Sequence, residues 1–140
     1  MNLIPFLQSN LPLCGIVIAL LIALVIVEFF SHSNGVPKLS TIEAVRFMNK
    51  KKALVFDLRK PEAFAGGHIK QSKQVNAADL LKNAKTWIKK LDLPVLLIDE
   101  HDHGAVSTAT GLKKLEYTDV AILAGGLNTW RKENLPLSHQ

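Results

Sequence analysis

The sequence predicts a small α/β domain with a parallel-stranded sheet flanked by helices, preceded by one transmembrane helix. Three observations carry this. Residues Leu11 to Phe30, LPLCGIVIALLIALVIVEFF, are apolar apart from Glu28. Three short runs, ALVFD (Ala53 to Asp57), PVLLID (Pro94 to Asp99) and DVAIL (Asp119 to Leu123), are apolar without alternation, as strands covered on both faces are. Between them the apolar residues recur at helical spacing, and strands separated by helices imply a parallel sheet.

The elements follow in order. Residues 1–10 form a short N-terminus expected outside the cytoplasm. Residues 11–30 form the transmembrane helix: twenty helical residues rise about 30 Å, the thickness of a bilayer's hydrocarbon core. No Lys or Arg precedes the run and FFSHS is a poor cleavage site, which argues against a signal peptide. The absence of a polar face argues against a core helix. Residues 31–37, SHSNGVP, are turn-forming and read as a linker. The soluble domain spans 38–140. All 17 Lys and Arg lie in it, so the positive-inside rule expects an inner (cytoplasmic) membrane protein, single-pass, with this domain in the cytoplasm. With Glu28 set aside, the domain has a net charge of +6. Lys50 to Lys52 and the set Lys82, Lys85, Lys89 and Lys90 are candidates to meet anionic headgroups, although a solvated basic surface is the simpler reading. No nucleic-acid partner is expected, because no aromatic residues interleave with the basic ones.

Within the domain, STIE (Ser40 to Glu43) is a capping box opening a helix through Met48, with Ile42, Val45, Phe47 and Met48 as its buried candidates. PEAFAGG opens on proline and closes on glycines, giving a single-turn helix. Val75 marks a brief extended piece, and Asn76 caps a helix predicted through Lys90, with Leu80, Leu81, Ala84 and Ile88 on one face. After PVLLID comes a polar loop, Glu100 to Gly104, and a helix from Ala105 or Val106 with Val106, Ala109, Leu112 and Leu115 inward. DVAIL, the turn AGG and a short helix LNTWRKE complete the chain. Asp57 and Arg59 at a strand end suit an ion pair that fixes the following turn. Gly66 and Gly67 suit a tight reversal, His68 a hydrogen bond to nearby backbone, Gly125 and Gly126 a turn with positive φ, and Trp130 the core.

These pieces recur together in one family. LVFDLRKPEAFAGGHI (Leu54 to Ile69) resembles the first signature of rhodanese-like domains, on Asp57, Arg59, Glu62, Phe64, Gly67 and His68. VAILAGGLNTW (Val120 to Trp130) resembles their closing segment, on Gly125, Gly126 and Trp130, and NLPL after it fits. The resemblance runs from about Leu39 to Leu137 and implies a sulfurtransferase with a cysteine on the loop after the fourth strand, in a pattern Cys-x-x-Gly-x-Arg/Lys-Ser. Here the match breaks. Aligned on Gly104 and Ser107, the cysteine position is His101 and the basic position Val106; counted along the strand from Pro94, the cysteine position is Asp99. Neither carries a thiol, and the single cysteine, Cys14, lies in the apolar helix. Asp99, Glu100 and Asp102 also place negative charge where the family cradles an anion, so thiosulfate is expected to be repelled.

The leading expectation is a membrane-anchored rhodanese-like domain without sulfurtransferase activity that binds a membrane or cytoplasmic protein, or a ligand, and needs no cofactor. Its nucleophile is replaced and no catalytic residue is assigned. One alternative is sulfur transfer through a partner's cysteine, this domain only positioning it. The other is a metal-binding loop at Asp99 to His103, with His101 and His103 as weak ligand candidates.

Overall fold

The computed structural model describes residues 2–139, with side chains throughout except at 29–34. The chain divides into two compact units, Met1–Gly35 and Val36–Gln140.

The first unit is helical: α1 (Leu3–Ser9), then α2 (Leu11–Asn34), which carries proline at its start, where a missing N–H costs nothing. The stretch Leu11–Glu28 is long and apolar enough to cross a membrane, and its large apolar side chains are exposed. The helix continues through residues 31–34, which the sequence reads as linker. Beyond Gly15 no Pro or Gly occurs before Gly35, whose extended φ of −78° and ψ of 145° end it.

The second unit contains β1 (Lys38–Leu39), α3 (Thr41–Lys51), β2 (Leu54–Asp57), α4 (Pro61–Ala65), β3 (Ser72–Gln74), α5 (Ala77–Lys82), α6 (Ala84–Trp87), β4 (Val95–Ile98), α7 (His103–Lys114), β5 (Val120–Leu123) and α8 (Gly126–Lys132). The five strands are all parallel, in the order β1-β5-β4-β2-β3. Alternate residues of each strand go to opposite faces. Phe56, Val95, Leu97, Val120 and Ile122 meet α5 and α7 through Leu80, Ala105, Ala109 and Leu112. Val55, Leu96, Ile98, Ala121 and Leu123 meet α3 and α8 through Ala44, Met48, Leu127 and Trp130. Both faces are covered, which is why these strands read as unbroken apolar runs.

The capping box at α3 is present: Ser40 Oγ accepts from the Glu43 amide and Glu43 Oε2 from the Ser40 amide at 3.0 Å. Its inward residues are Thr41, Ala44 and Met48, with Val45 and Phe47 half-buried. Ile42 is 66% exposed, correcting its assignment to the core; it lies about 100° around the helix from Thr41. The predicted helix from Asn76 to Lys90 is two short ones. It breaks at Asn83, whose Nδ2 donates to Asp79 Oδ1 at 2.7 Å, and stops before Ile88, which is extended and fully buried. Leu115, placed inward by spacing, lies beyond the end of α7 and is exposed. β1 was not foreseen, and Val75 follows β3 rather than forming it.

Candidate functional site: the loop after β4

In a parallel sheet the chain turns above the carboxyl ends of the strands, and sites collect there. Three turns meet at this end: Leu58–Lys60 after β2, Asp99–Asp102 after β4, and Ala124–Gly125 after β5. The β4 and β5 turns are stitched together by backbone. The Leu127 amide donates to the Asp99 carbonyl at 2.8 Å and the Asn128 amide to the Glu100 carbonyl at 3.1 Å. This approach requires glycine at 126, where φ is +65° and a Cβ would run into both carbonyls.

Asp99 follows directly on β4. Its Oδ1 accepts from the Glu100 amide at 2.8 Å, and its Oδ2 packs so closely over Gly104 that a Cβ there would collide with it. The side chain held against the interior of the loop is therefore a carboxylate. His101 and His103 are exposed, as is Ser107. Val106 packs against the core, and Thr108 Oγ1 donates to the Gly104 carbonyl at 2.9 Å. Helix α7 starts at His103, earlier than the pattern implies. Among the described residues no group of three His, Cys, Asp or Glu is placed to hold a metal ion.

Two of the three loop carboxylates, Glu100 and Asp102, are matched by cations. Glu100 meets Arg131 through Oε1 and Arg59 Nη1 through Oε2 at 3.6 Å. Asp102 stands at the N-cap of α7 but does not cap it; its Oδ2 accepts instead from Lys38 Nζ at 3.2 Å. That bond holds the Asp102 carboxyl below its ordinary pKa, with help from a Gly125 backbone bond and against partial desolvation. Arg131 is 31 positions from Glu100, and Lys38 is 64 from Asp102. No local pattern announces either contact, so sequence reasoning missed both residues.

Below the loop lies a buried ion pair. Arg59 Nε donates to Asp57 Oδ1 at 2.9 Å and Nη2 to Oδ2 at 2.8 Å; Nη2 also donates to the Gly67 carbonyl at 2.7 Å. Both side chains are essentially inaccessible, and Arg59 Nη1 is buried without a hydrogen bond among the described residues. His68 Nδ1 lies 2.9 Å from the Phe64 carbonyl, which only accepts, so that nitrogen carries the proton. The imidazole stacks on Phe64 at 3.8 Å, and its residue pairs with Ser138 through backbone. Trp130 is buried, with Nε1 donating to the Pro136 carbonyl at 3.2 Å. Glu62 is exposed in the first turn of α4. Gly125 and Gly67 both have positive φ, whereas Gly66 is helical.

Residues 40–133 match the Rhodanese-like domain. The chain belongs to the rhodanese-like family. It is 34% identical over 121 residues to the uncharacterized protein YibN of Escherichia coli (strain K12), covering 86% of this chain and 85% of that protein. It is 34% identical over 92 residues to the thiosulfate sulfurtransferase GlpE of Pseudomonas putida strain F1, covering 64% of this chain and 79% of that one. The fold recurs in a rhodanese-related protein of Thermoplasma volcanium, at a TM-score of 0.64 and 20% identity over 74% of this chain and 99% of that one. The human single-domain sulfurtransferase TSTD1 gives 0.61 and 19%, over 71% and 98%. This rhodanese-like chain thus has sulfurtransferase relatives.

Proposed function

We propose that this rhodanese-like protein is anchored in the inner membrane by α2, holds its globular domain in the cytoplasm, and acts as a protein- or ligand-binding module without transferring sulfur. The observation that carries the reading is the side chain inside the loop. A sulfane sulfur is carried by a thiolate, which gives up its electron pair to form the S–S bond of a persulfide. Asp99 offers a carboxylate there, already engaged by the Glu100 amide, and the chain's one cysteine is Cys14 in α2. Of the two positions the sequence leaves open for a lost nucleophile, half-buried Asp99 packs over Gly104 and His101 is exposed, which favours Asp99 as the equivalent position. The anchor rests on the length and exposure of the apolar stretch, and the orientation on the placement of every Lys and Arg after it.

The curated name of the Pseudomonas putida relative supports a second reading, in which sulfur moves on a partner's cysteine docked at this loop. One experiment separates the two. The full chain in lipid nanodiscs is assayed for thiosulfate-to-cyanide transfer and for bound sulfane sulfur, beside Asp99→Cys and His101→Cys. The expected result is no turnover by the unaltered chain, and persulfide formation in Asp99→Cys but not His101→Cys. Turnover by the unaltered chain sinks the leading reading; turnover only with a thiol-bearing partner protein added favours the second.

A further inference from the structure

The end of the sheet opposite the loop has a character that the proposed function does not use. Its connections are tied together: the Leu54 amide donates to the Pro94 carbonyl, the Val95 amide to Asp119, and the Thr118 amide to Leu91, all at 2.9–3.0 Å. Lys51 pairs with Asp119 across the same end at 3.1 Å. Helices α3 and α7 both return the chain here, so their closing lysines join those that precede β4. Lys50, Lys52, Lys89, Lys90, Lys113 and Lys114 fall at this end, with Asp92 and Glu116 next to them along the chain besides the Lys51–Asp119 pair. None of the six has an ion-pair partner among the described residues.

Leu91 and Leu115 are exposed at the same place, whereas Ile42 is exposed in the first turn of α3, at the other end. Among the described residues of the second unit, only Ile42, Leu91 and Leu115 are large apolar side chains left exposed. Leu91 and Leu115, 44% and 46% exposed, line one groove with Leu81, Ala84 and Tyr117, and Lys82 and Lys85 also border it. An adjoining groove, sharing Thr86, is lined by Trp87, Leu93 and Lys89. Lysines around exposed leucine and a half-buried tryptophan are the composition of a surface that lies on a bilayer interface.

We infer that this strand-start end of the globular unit is a docking surface for the anionic headgroups of a lipid bilayer. The inference rests on the membrane-anchor reading in one respect, the supply of that bilayer. Seven residues, and so eight steps along the chain, separate Glu28, which ends the apolar stretch, from Val36, which packs on the globular core; eight steps reach about 12 Å as helix and at most about 29 Å extended. A domain on so short a leash meets headgroups at high effective concentration. Six unpaired cations then match an anionic lipid surface better than a soluble partner that must be found by diffusion. Docking by this end leaves Asp99 to Asp102, at the other ends of the strands, open to other molecules.

The test is amide hydrogen exchange of the full chain in nanodiscs of zwitterionic lipid and of the same lipid with an anionic fraction. The expected result is slowed exchange at 87–93 and 113–118 in anionic discs only, reversed by high salt. Lys90→Glu should lose several-fold of that protection, while Lys60→Glu, the same charge change at the opposite end, should not. Incorporation into both discs with equal exchange overturns the docking surface and leaves the anchor standing. Failure to incorporate into either disc overturns the anchor, and with it this proposal. Protection by added soluble polyglutamate but not by anionic lipid also overturns it, because the occupant is then an acidic protein segment.

Discussion

Asp57 and Arg59 show how little of a motif's role is visible in its letters. The Asp-x-Arg spacing suggests an ion pair, but its worth depends on burial, and both side chains are sealed from water. Removing one partner of such a pair strands the other charge, which costs about 3–5 kcal/mol. Asp57→Ala is therefore expected to lower the unfolding free energy by that amount in urea titration, and the double replacement Asp57→Leu with Arg59→Met by clearly less. The glycines of the site divide by what a methyl group would strike. At Gly126 it meets two backbone carbonyls in a left-handed conformation; at Gly104 it meets the end of the Asp99 side chain, which can swing aside. Gly126→Ala should destabilise by about 1–3 kcal/mol and Gly104→Ala by less, and Gly104→Ala with Asp99→Ala should recover most of its loss, all by thermal or chemical melts.

At the scale of elements, local chemistry sets the starts of helices better than their ends. Ser40 and Glu43 form the capping box that their spacing announces, and Ser40→Ala should cost about 1 kcal/mol by chemical denaturation. By contrast, the apolar spacing from Asn76 to Lys90 runs on past Asn83, where the chain breaks into two helices with Asn83 Nδ2 bonded to Asp79 and extended Ile88 in the core. The Lys38–Asp102 contact joins β1 to the start of α7. Its pH dependence follows from the lowered carboxyl pKa: the folded state holds Asp102 charged more firmly than the unfolded chain does. The contribution is present above the ordinary carboxylate pKa of about 4 and fades as pH falls through the lower folded value. Asp102→Asn should thus be slightly less stable than the parent at pH 7, the gap closing toward pH 2.5 in denaturant midpoints. The gap is small, since Lys38 is half exposed and salt screens the pair.

Across the whole molecule, the two units distribute their apolar side chains in opposite ways. The first exposes its large apolar side chains along Leu3 to Val27; the second buries nearly all of its own in two layers over a parallel sheet. Because the second unit owns its core, residues 36–140 made alone should unfold in one cooperative transition, with a denaturant midpoint close to that of the domain in the full chain. A broad or shifted transition would show that residues 1–35 contribute to its stability. Charge is also distributed along the strand direction, with unpaired lysines where the strands begin and paired carboxylates where β4 finishes.

The parallel α/β architecture, the apolar helix, the rhodanese-like signatures and the missing thiol were all legible in the sequence. Each is a short-range property: an unbroken apolar run, a helical period, a motif of fewer than twenty residues, or the absence of a residue type. The interior position of Asp99, the pairing of Glu100 with Arg59 and Arg131, the link from Lys38 to Asp102 and the gathering of lysines at one end of the sheet were decided by the tertiary structure. They bring together groups tens of positions apart, and it is the order of parallel strands, rather than any local spacing, that selects which of them meet.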